Sequence, residues 1–241
     1  MIFQNFGFNR LIVPPSPAAG GGVVTLDLLA YYDAGTTNGY SGSVLYDLSG
    51  NGRNATLVGD IAYSGSNGGV LDTGNTSYGY IDVTSSVAVG INGGDTATIQ
   101  QWIKLDTSPP GSDATTGFIY MTNQSSGIGN HYPYTDNNIY TNVLKTNRPS
   151  LGNPVITLTN WHVMTIRTSS GAGNWEMLLN TTQQGTDTGV TINLYNNIIY
   201  IGASGGGFDR LVGALGPTLI YNRRLSDSEY QQNIDYFASR F

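Results

Sequence analysis

The sequence predicts an all-β protein in which two antiparallel sheets pack together, closed by one short C-terminal helix. Segments rich in Val, Ile, Thr and Tyr recur at intervals of about ten residues along most of the chain. Gly, Asn, Asp and Pro separate these segments, and no helical pattern comes between them. About ten strands without intervening helices bury their apolar faces by packing one sheet on another.

The candidate strands alternate apolar and polar residues with the period of two that a half-buried strand requires. In the segment 96–105, Ile99 and Ile103 fall on one face and Trp102 on the other, while Gln101 is a polar exception on the apolar face. The predicted strands are 23–32, 78–83, 96–105, 118–122, 139–144, 161–168, 175–180, 190–194, 198–203 and 211–221.

The segment after the last strand carries the signals of a helix start. Ser226 and Glu229 have the spacing of a capping box, in which each side chain bonds the other residue's backbone amide. Asp227 adds a negative charge where the helix dipole favours one, and Leu225 and Tyr230 are spaced for a hydrophobic staple. We predict a helix over 227–239. The residues of its apolar face are Tyr230, Ile234, Phe237 and Phe241.

The composition excludes several classes of function. Only 11% of the 241 residues are charged, and the formal net charge is −6. An acidic chain with so few Lys and Arg does not suit nucleic acid, because phosphates require cationic partners. The chain has no Cys, so disulfides and thiolate metal sites are excluded. No apolar run approaches the roughly 20 residues that a membrane span needs, and the first residues lack the pattern of a signal peptide.

Residues 1–22 differ from the rest and are predicted to form an extended anchoring arm, with one domain over 23–241. The arm is apolar, then rich in Pro, and ends in three Gly, a pattern typical of an extended segment followed by a hinge. We expect the arm to lie against this domain or against another chain, and to mediate assembly. The predicted assembly residues are Phe3, Phe6, Phe8, Leu11, Ile12 and Val13.

Six segments in order resemble one known family. Residues 47–57 resemble the D-x-S-G-N-G-x-x-G-x-L signature of LamG-like domains in the concanavalin A-like lectin/glucanase superfamily, with Ala55 where Gly is usual. Five further segments resemble the family's G-G-x-L, T-x-S-x-W-V-K, W-H-x-V, I-G and I-Y-N-R-x-L-S strands, namely 67–72, 97–104, 160–163, 199–202 and 220–226. After 67–72, however, Asp72-Thr73-Gly74 replaces the usual F-D-G. The resemblance covers 23–241 and implies a β-jelly roll, a fold that hosts lectins, hydrolases and structural modules.

The first of these segments has two interpretations. Asp47 can accept hydrogen bonds from the amides of Ser49 and Gly50 as an Asx-turn, which needs no ligand. Alternatively, Asp47 and Asn51 contribute to a calcium site, since relatives sometimes bind Ca²⁺ through loop oxygens. Calcium requires six to eight oxygen ligands. The other carboxylates that a calcium site would draw on are Asp33, Asp72 and Asp209.

No catalytic constellation is recognisable. Glucanases of this superfamily use an E-x-D-x-x-E strand, but the only two Glu here are Glu229, assigned to the helix cap, and Glu176, which has no Asp two residues later. The only histidines are His131 and His162, too few for a His-based zinc site without Cys. We predict that the protein is not an enzyme, that it has no cofactor other than possible calcium, and that His162 is a packed or an edge residue of its strand.

One loop has the composition of a sugar-binding site. Aromatic rings stack on the C–H faces of pyranoses, and amides or carboxylates bond the hydroxyls. A loop that begins after His131 combines both kinds of residue, although tyrosines in Asn-rich loops are common. The predicted glycan-binding residues are Tyr132, Tyr134, Asp136 and Asn137.

These observations leave three hypotheses. The first is a non-catalytic virion protein, a capsid decoration or fibre-type jelly roll, whose arm binds other virion proteins or copies of itself and which can also contact host glycans. LamG-like modules of this kind occur in bacteriophage structural proteins. The second is a free glycan-binding module, and the third, weakened by the carboxylate count, is a glycoside hydrolase.

Overall fold

The computed structural model describes residues 21–73, 79–83, 96–106, 117–122, 127–131, 140–141, 157, 159–169, 175–186, 198–203 and 211–241. These residues form two antiparallel sheets and a C-terminal helix, which confirms the predicted all-β sandwich with one short helix. Most Gly-rich connections between the later strands lie outside the described residues.

Sheet A contains eight strands in the order β14-β13-β12-β8-β16-β6-β5, with β1 paired to β16 beside β6. The long strands β8 and β16 lie at its centre, and their register shifts between Leu215 and Thr218. Pro217, which has no amide hydrogen to donate, falls at this irregularity. The strands are β1 (Leu28–Tyr32), β5 (Ala62–Ser64), β6 (Val70–Asp72), β8 (Ala97–Leu105), β12 (His162–Thr168), β13 (Trp175–Leu179), β14 (Thr182–Thr186) and β16 (Gly213–Tyr221).

Sheet B also contains eight strands, in the order β11-β10-β9-β15-β7-β4-β3-β2. The chain crosses between the sheets several times, as strands distant in sequence are neighbours in space. The strands are β2 (Tyr40–Ser41), β3 (Val44–Leu45), β4 (Ala55–Gly59), β7 (Gly79–Asp82), β9 (Gly117–Thr122), β10 (Gly127–His131), β11 (Tyr140–Thr141) and β15 (Ile198–Ile201).

The main core lies between the two sheets. Sheet A contributes Ile99, Ile103 and Met164, among others, and sheet B contributes Ile81 and Ile201. Gln101 lies on this inner face and is fully buried. Its side chain accepts a hydrogen bond from Thr218 Oγ1 at 2.7 Å and donates to the carbonyl of Trp102. Gln101, the polar exception in the apolar pattern, therefore has hydrogen-bond partners inside the core.

The C-terminal helix α1 (Asp227–Phe237) covers the outer face of sheet A and creates a second core. Trp102, Leu219 and Tyr221 point toward the helix from the sheet, and Tyr230 and Phe237 pack against them. Because both faces of sheet A are covered, β8 and β12 are buried along almost their entire length. Among the described residues, no helix is long and apolar enough to cross a membrane.

The helix begins where the sequence predicts. Ser226 Oγ accepts from the Glu229 amide, and Glu229 Oε2 accepts from the Ser226 amide at 2.9 Å, which confirms the capping box. Arg223 donates two hydrogen bonds to the Glu229 carboxylate and, with the cap, holds the pKa of Glu229 at about 2. Leu225 and Tyr230 are both buried in the second core, in keeping with the staple. The helix ends at Phe237, two residues before the predicted end.

The apolar helix face is placed as predicted, with one polar addition. Tyr230 and Phe237 are buried, and Ile234 and Phe241 pack against the same core. Asn233 lies among them with no exposed surface. Its amide nitrogen donates to Gln100 and to the Tyr221 hydroxyl, and its oxygen accepts from the Val24 amide at 2.8 Å. This one side chain joins the helix, sheet A and the segment that precedes β1.

Candidate functional site

The outer faces of the two sheets differ in what covers them. Helix α1 covers that of sheet A, whereas no described helix or strand packs on the outer face of sheet B. In β7, Ile81 points into the core and Tyr80 and Asp82 point away from it, since successive side chains alternate across a strand, and Val83 directly after the strand is again buried in the core. The same alternation turns Tyr200 outward between Ile199 and Ile201.

Three neighbouring strands bring outward residues into one row. Asp82 is the register partner of Tyr200 on one side and of Thr56 on the other. Residues directly opposite in antiparallel strands have Cβ atoms about 5 Å apart, so these three side chains are neighbours. We call this surface the tyrosine face and define it by Thr56, Val58, Tyr80, Asp82 and Tyr200.

Two aromatic rings dominate the tyrosine face. The rings of Tyr80 and Tyr200 lie 4.8 Å apart between centroids, with their planes at 67° in an edge-to-face arrangement. Both tyrosines and Asp82 are half-buried. Two ring planes set at an angle, with a carboxylate beside them, combine the stacking surface and the hydrogen-bond acceptor that sugar recognition uses.

Sequence reasoning missed these residues, although it placed strands over both segments. The signal was available in the alternation, since Tyr80 and Asp82 interleave with the apolar Ile81 and Val83. What the sequence did not provide was the pairing of β7 with β15, which joins two segments more than 100 residues apart in the chain.

The predicted glycan-binding residues Tyr132, Tyr134, Asp136 and Asn137 lie outside the described residues, so that prediction stands untested. The strands that flank them, β10 and β11, pair with each other in sheet B. Strand β9 lies between β10 and β15 and pairs with both, and Tyr120 of β9 is the register partner of Tyr200. The loop thus starts and ends on the sheet that carries the tyrosine face.

The segment that begins at Asp47 is explained by internal hydrogen bonds. The Asp47 carboxylate accepts from the amides of Ser49 at 2.9 Å, Tyr31 at 3.0 Å and Arg53 at 3.0 Å. The predicted bond from Ser49 is confirmed, but the predicted bond from Gly50 is wrong, because the other two donors are the amides of Tyr31 and Arg53. The Asn51 amide nitrogen donates to the carbonyls of Leu28 and Leu29. The motif therefore ties its loop to the start of β1.

The calcium interpretation of Asp47 and Asn51 remains a prediction. Within the described ranges, no three His, Asp or Glu residues are grouped so that they could hold a metal ion. Asp33, another predicted ligand, is bonded by Arg240 through both carboxylate oxygens. Asp209 lies outside the described residues.

Both glutamates have structural partners. Glu229 is held by the helix cap and by Arg223. Glu176 is buried and forms ion pairs with Arg167 and with Arg224, the latter at 2.5 Å. A retaining glycosidase needs two carboxyl groups about 5–5.5 Å apart beside the scissile bond, and these two glutamates belong to separate arginine networks.

His162 is packed inside sheet A, which is the first of the two predicted alternatives, because β12 lies between β13 and β8. It is buried, and its Nε2 lies 3.0 Å from the carbonyl of Thr157. Its Nδ1 lies 3.3 Å from Asn180 Nδ2, and Asn180 Oδ1 accepts from the Val163 amide. These partners fit a neutral imidazole that donates from Nε2 and accepts at Nδ1.

The predicted assembly residues Phe3, Phe6, Phe8, Leu11, Ile12 and Val13 lie outside the described residues. The described chain starts at Gly21 and immediately contacts helix α1. Gln232 donates to the Gly22 carbonyl at 2.8 Å, and the Val24 carbonyl accepts from the Tyr221 hydroxyl at 2.9 Å. Gly21, the first described residue, therefore lies on the helix side of sheet A, opposite the tyrosine face.

A laminin G family model, described as the concanavalin A-like lectin/glucanases superfamily, matches residues 73–230. The chain belongs to this superfamily. The match covers more than half of the sequence and agrees with the two antiparallel sheets of the structure. No curated protein matches the chain.

Solved structures share the superfamily fold at low sequence identity. Domain 4 of AbnA, an extracellular GH43 arabinanase from Geobacillus stearothermophilus solved with arabinotriose, is 15% identical with a TM-score of 0.63, over 87% of this chain and 98% of that one. The binding domain of botulinum neurotoxin DC, solved with rat synaptotagmin II, is 14% identical with a TM-score of 0.66, over 90% of this chain and 52% of that one.

Trypanosoma rangeli sialidase, solved with sialic acid, is 14% identical with a TM-score of 0.62, over 91% of this chain and 34% of that one. The chain therefore spans a complete arabinanase domain, about half of the toxin fragment and about a third of the sialidase. At these identities the likeness shows the concanavalin A-like jelly roll and leaves the ligand to be argued from the site.

Proposed function

We propose that this protein is a non-catalytic, glycan-binding jelly roll that is carried on a larger particle by its N-terminal arm. The observation that carries the glycan-binding part is the Tyr80–Tyr200 pair beside Asp82, on a sheet face that no described element covers. An edge-to-face pair allows a pyranose to stack on one ring while its hydroxyls reach the carboxylate. The superfamily match supports the same function, because it includes lectins.

Replacing Tyr200 with Ala tests this surface. We expect binding to oligosaccharides to fall at least about tenfold, since loss of the ring removes both its own stacking area and the orientation of Tyr80. The measurement is glycan-array binding followed by titration calorimetry on the best ligand. Tyr236→Ala is the matched control, because Tyr236 is an exposed tyrosine of α1 on the opposite side of the sandwich.

Equal losses in the two variants, or no loss in Tyr200→Ala with its thermal unfolding unchanged, would contradict the assignment. Binding that survives in Tyr200→Ala but disappears on substitution of Tyr132 and Tyr134 would move the site to the loop between β10 and β11.

The non-catalytic part of the proposal is supported by the partners of the carboxylates. Asp82 is the only Asp or Glu in the eight strands of sheet B, whereas hydrolysis requires a pair. The two glutamates are bonded to arginines elsewhere. A surface with aromatic rings and a single carboxylate suits binding better than bond cleavage.

Attachment through the arm is supported by the sequence of the arm and by the position of the residue that follows it. Residues 1–20 are apolar and Pro-rich. Gly21, where the described chain starts, lies beside α1, so a domain attached through the arm would present the tyrosine face outward. We propose that the particle is a virion, with the chain as a capsid decoration or fibre-type protein. The resemblance to LamG-like modules of bacteriophage structural proteins is the basis for that choice.

Deletion of residues 1–20 separates a carried protein from a free glycan-binding module. We expect the shortened chain to lose incorporation into particles while its unfolding temperature stays within about 2 °C, because the bonds of Gly22 and Val24 to α1 remain. Sedimentation of particles with tagged full-length and shortened chains is the measurement. If the full-length chain fails to co-sediment with any particle, the free-module alternative is favoured.

A further inference from the structure

A row of outward side chains continues the tyrosine face across sheet B. Thr56, the register partner of Asp82, is also the partner of Val44 in β3. Val44 in turn is the partner of Ser41 in β2. Register partners in antiparallel strands lie on the same side of the sheet. The row therefore runs over five strands, from Tyr200 in β15 to Ser41 in β2.

The burial of neighbouring residues shows which side of the sheet the row occupies. Leu45 and Ala55 each adjoin a member of the row and are buried in the main core between the sheets. Because side chains alternate across a strand, Val44 and Thr56 point away from that core. Ser41 and Thr56 are exposed, and Val44 is half-buried.

Ser41, Val44 and Thr56, which we call the shelf, have smaller side chains than the two tyrosines beside them. The rings of Tyr80 and Tyr200 lie next to the shelf with their planes at 67° to each other. No described helix or strand packs on the shelf. A sugar unit stacked on a ring can therefore be followed by further units over the small side chains.

The dimensions of the row match those of an extended glycan. Strands β2, β3, β4, β7 and β15 are adjacent in sheet B, and five adjacent strands span about 19 Å because neighbours lie about 4.8 Å apart. One pyranose unit advances an extended chain by nearly one strand spacing, so each strand presents one outward side chain to one unit. The hydroxyls of Ser41 and Thr56 both donate and accept, as sugar hydroxyls do.

We infer that the tyrosine face binds the interior of an extended, unbranched glycan, whose units lie across the strands from Tyr200 to Ser41. The inference rests on the proposed glycan-binding function and adds the shape of the ligand. The aromatic pair binds one unit by stacking, and the shelf bonds the units that follow it. A single terminal sugar would use the rings alone and would gain nothing from the shelf.

The test uses unbranched cello-, xylo-, manno- and chito-oligosaccharides of increasing length, together with branched glycans that end in the same sugars. Titration calorimetry on the full-length protein should show affinity rising at least about tenfold from the dimer to the tetramer or pentamer, because each net hydrogen bond gained is worth about fivefold. Beyond that length the affinity should change less than about twofold, since the row is then filled.

Two sets of variants assign the gain to the shelf. Ser41→Ala combined with Thr56→Ala should remove most of the gain with length and leave binding of the dimer within about twofold, whereas Tyr200→Ala should weaken binding at every length. Ser239→Ala is the matched control, because it removes a hydroxyl from an exposed position just after α1, on the other side of the sandwich, and it should leave the length dependence unchanged.

The length series on the unmodified protein needs no variant to fold. Affinity that does not rise with length, preference for the branched glycans, or a length dependence that the double variant leaves unchanged would overturn the inference and leave the proposed function intact. Failure to bind any glycan would overturn both.

Discussion

Replacing Arg240 with Ala should lower the free energy of unfolding by about 3 to 5 kcal/mol, the cost of leaving a buried carboxylate without its cation. The Arg240 guanidinium bonds both oxygens of Asp33, at 2.7 and 3.0 Å, and Asp33 is 1% exposed. Arg240 also donates to the carbonyls of Asn67 and Gly69. One side chain therefore ties the C-terminus to the segment after β1 and to the turn before β6.

The surroundings of Asp33 leave the carboxylate few alternatives. It accepts from the Gly35 amide and the Thr36 hydroxyl, which orient it toward Arg240 but carry no charge. The Arg240 guanidinium also lies over the rings of Phe237 and Phe241, so its removal loosens the end of α1 as well. We expect the helix terminus to lose protection from hydrogen exchange first.

Chemical denaturation of the wild type, Arg240→Ala and Arg240→Lys measures the effect. Lys keeps the charge but cannot bond both carboxylate oxygens as the guanidinium does, so the free energy of unfolding of Arg240→Lys should lie between those of the wild type and Arg240→Ala. Asp235→Asn is a control at an exposed position of the same helix and should change stability by less than about 0.5 kcal/mol. A loss below about 1 kcal/mol in Arg240→Ala would mean that water or another residue replaces the guanidinium.

The contacts of Arg240 also explain the glycines of the G-G-x-L segment, residues 67–72. The sequence shows these glycines only as part of a family resemblance, whereas the folded chain shows why they are needed. Gly69 has a φ of +115°, and a Cβ there would meet the backbone of Gly35. A Cβ on Gly35 would in turn meet the Arg240 guanidinium and the Gly68 carbonyl. Two glycine-bearing segments approach closely because the arginine binds between them.

The long elements could be predicted because local signals determine them. Strand β8 alternates over nine residues, and α1 carries a capping box and an apolar face. The sequence prediction omitted β2 to β5, β10 and β14, which have five residues or fewer and, apart from β3, contain Gly or Ser. Sheet pairing rather than their own propensity holds such strands. Strand β6 was indicated only by the family resemblance, and the predicted strand 190–194 lies outside the described residues.

The candidate site was harder to predict because it depends on pairing between distant strands. Nothing near Tyr80 in the sequence indicates that Tyr200 is its neighbour, and register alone places Asp82 between Tyr200 and Thr56. Composition directed attention to a Tyr- and Asn-rich loop instead. The ion pair between Arg167 and Glu176 was missed for the same reason, since it follows from β12 lying beside β13.

Removal of Arg167 should have the second large effect, also about 3 to 5 kcal/mol. Arg167 is 5% exposed at its side chain, pairs with the buried Glu176 and with Asp227 at 2.7 Å, and donates to the Leu225 carbonyl at 2.9 Å. Its guanidinium carbon lies 4.6 Å from the centre of the Tyr230 ring. Arg167→Ala would leave Glu176 with Arg224, which is one-third exposed, and would leave the carbonyl before the helix cap without its donor.

A double variant decides whether the charges or their volume stabilise the second core. Arg167→Met with Glu176→Leu replaces the pair with apolar side chains of similar size, and we expect it to recover at least about 2 kcal/mol of the loss. The charge that then loses its carboxylate is that of Arg224, which is one-third exposed and can be hydrated, and not a fully buried one. Thermal and denaturant unfolding of the single and double variants complete the cycle. Glycan binding should persist in all variants while they are folded, since Glu176 lies on sheet A, away from the tyrosine face. Loss of binding in a folded Glu176→Gln variant would instead place the site around Glu176 and contradict the structural role.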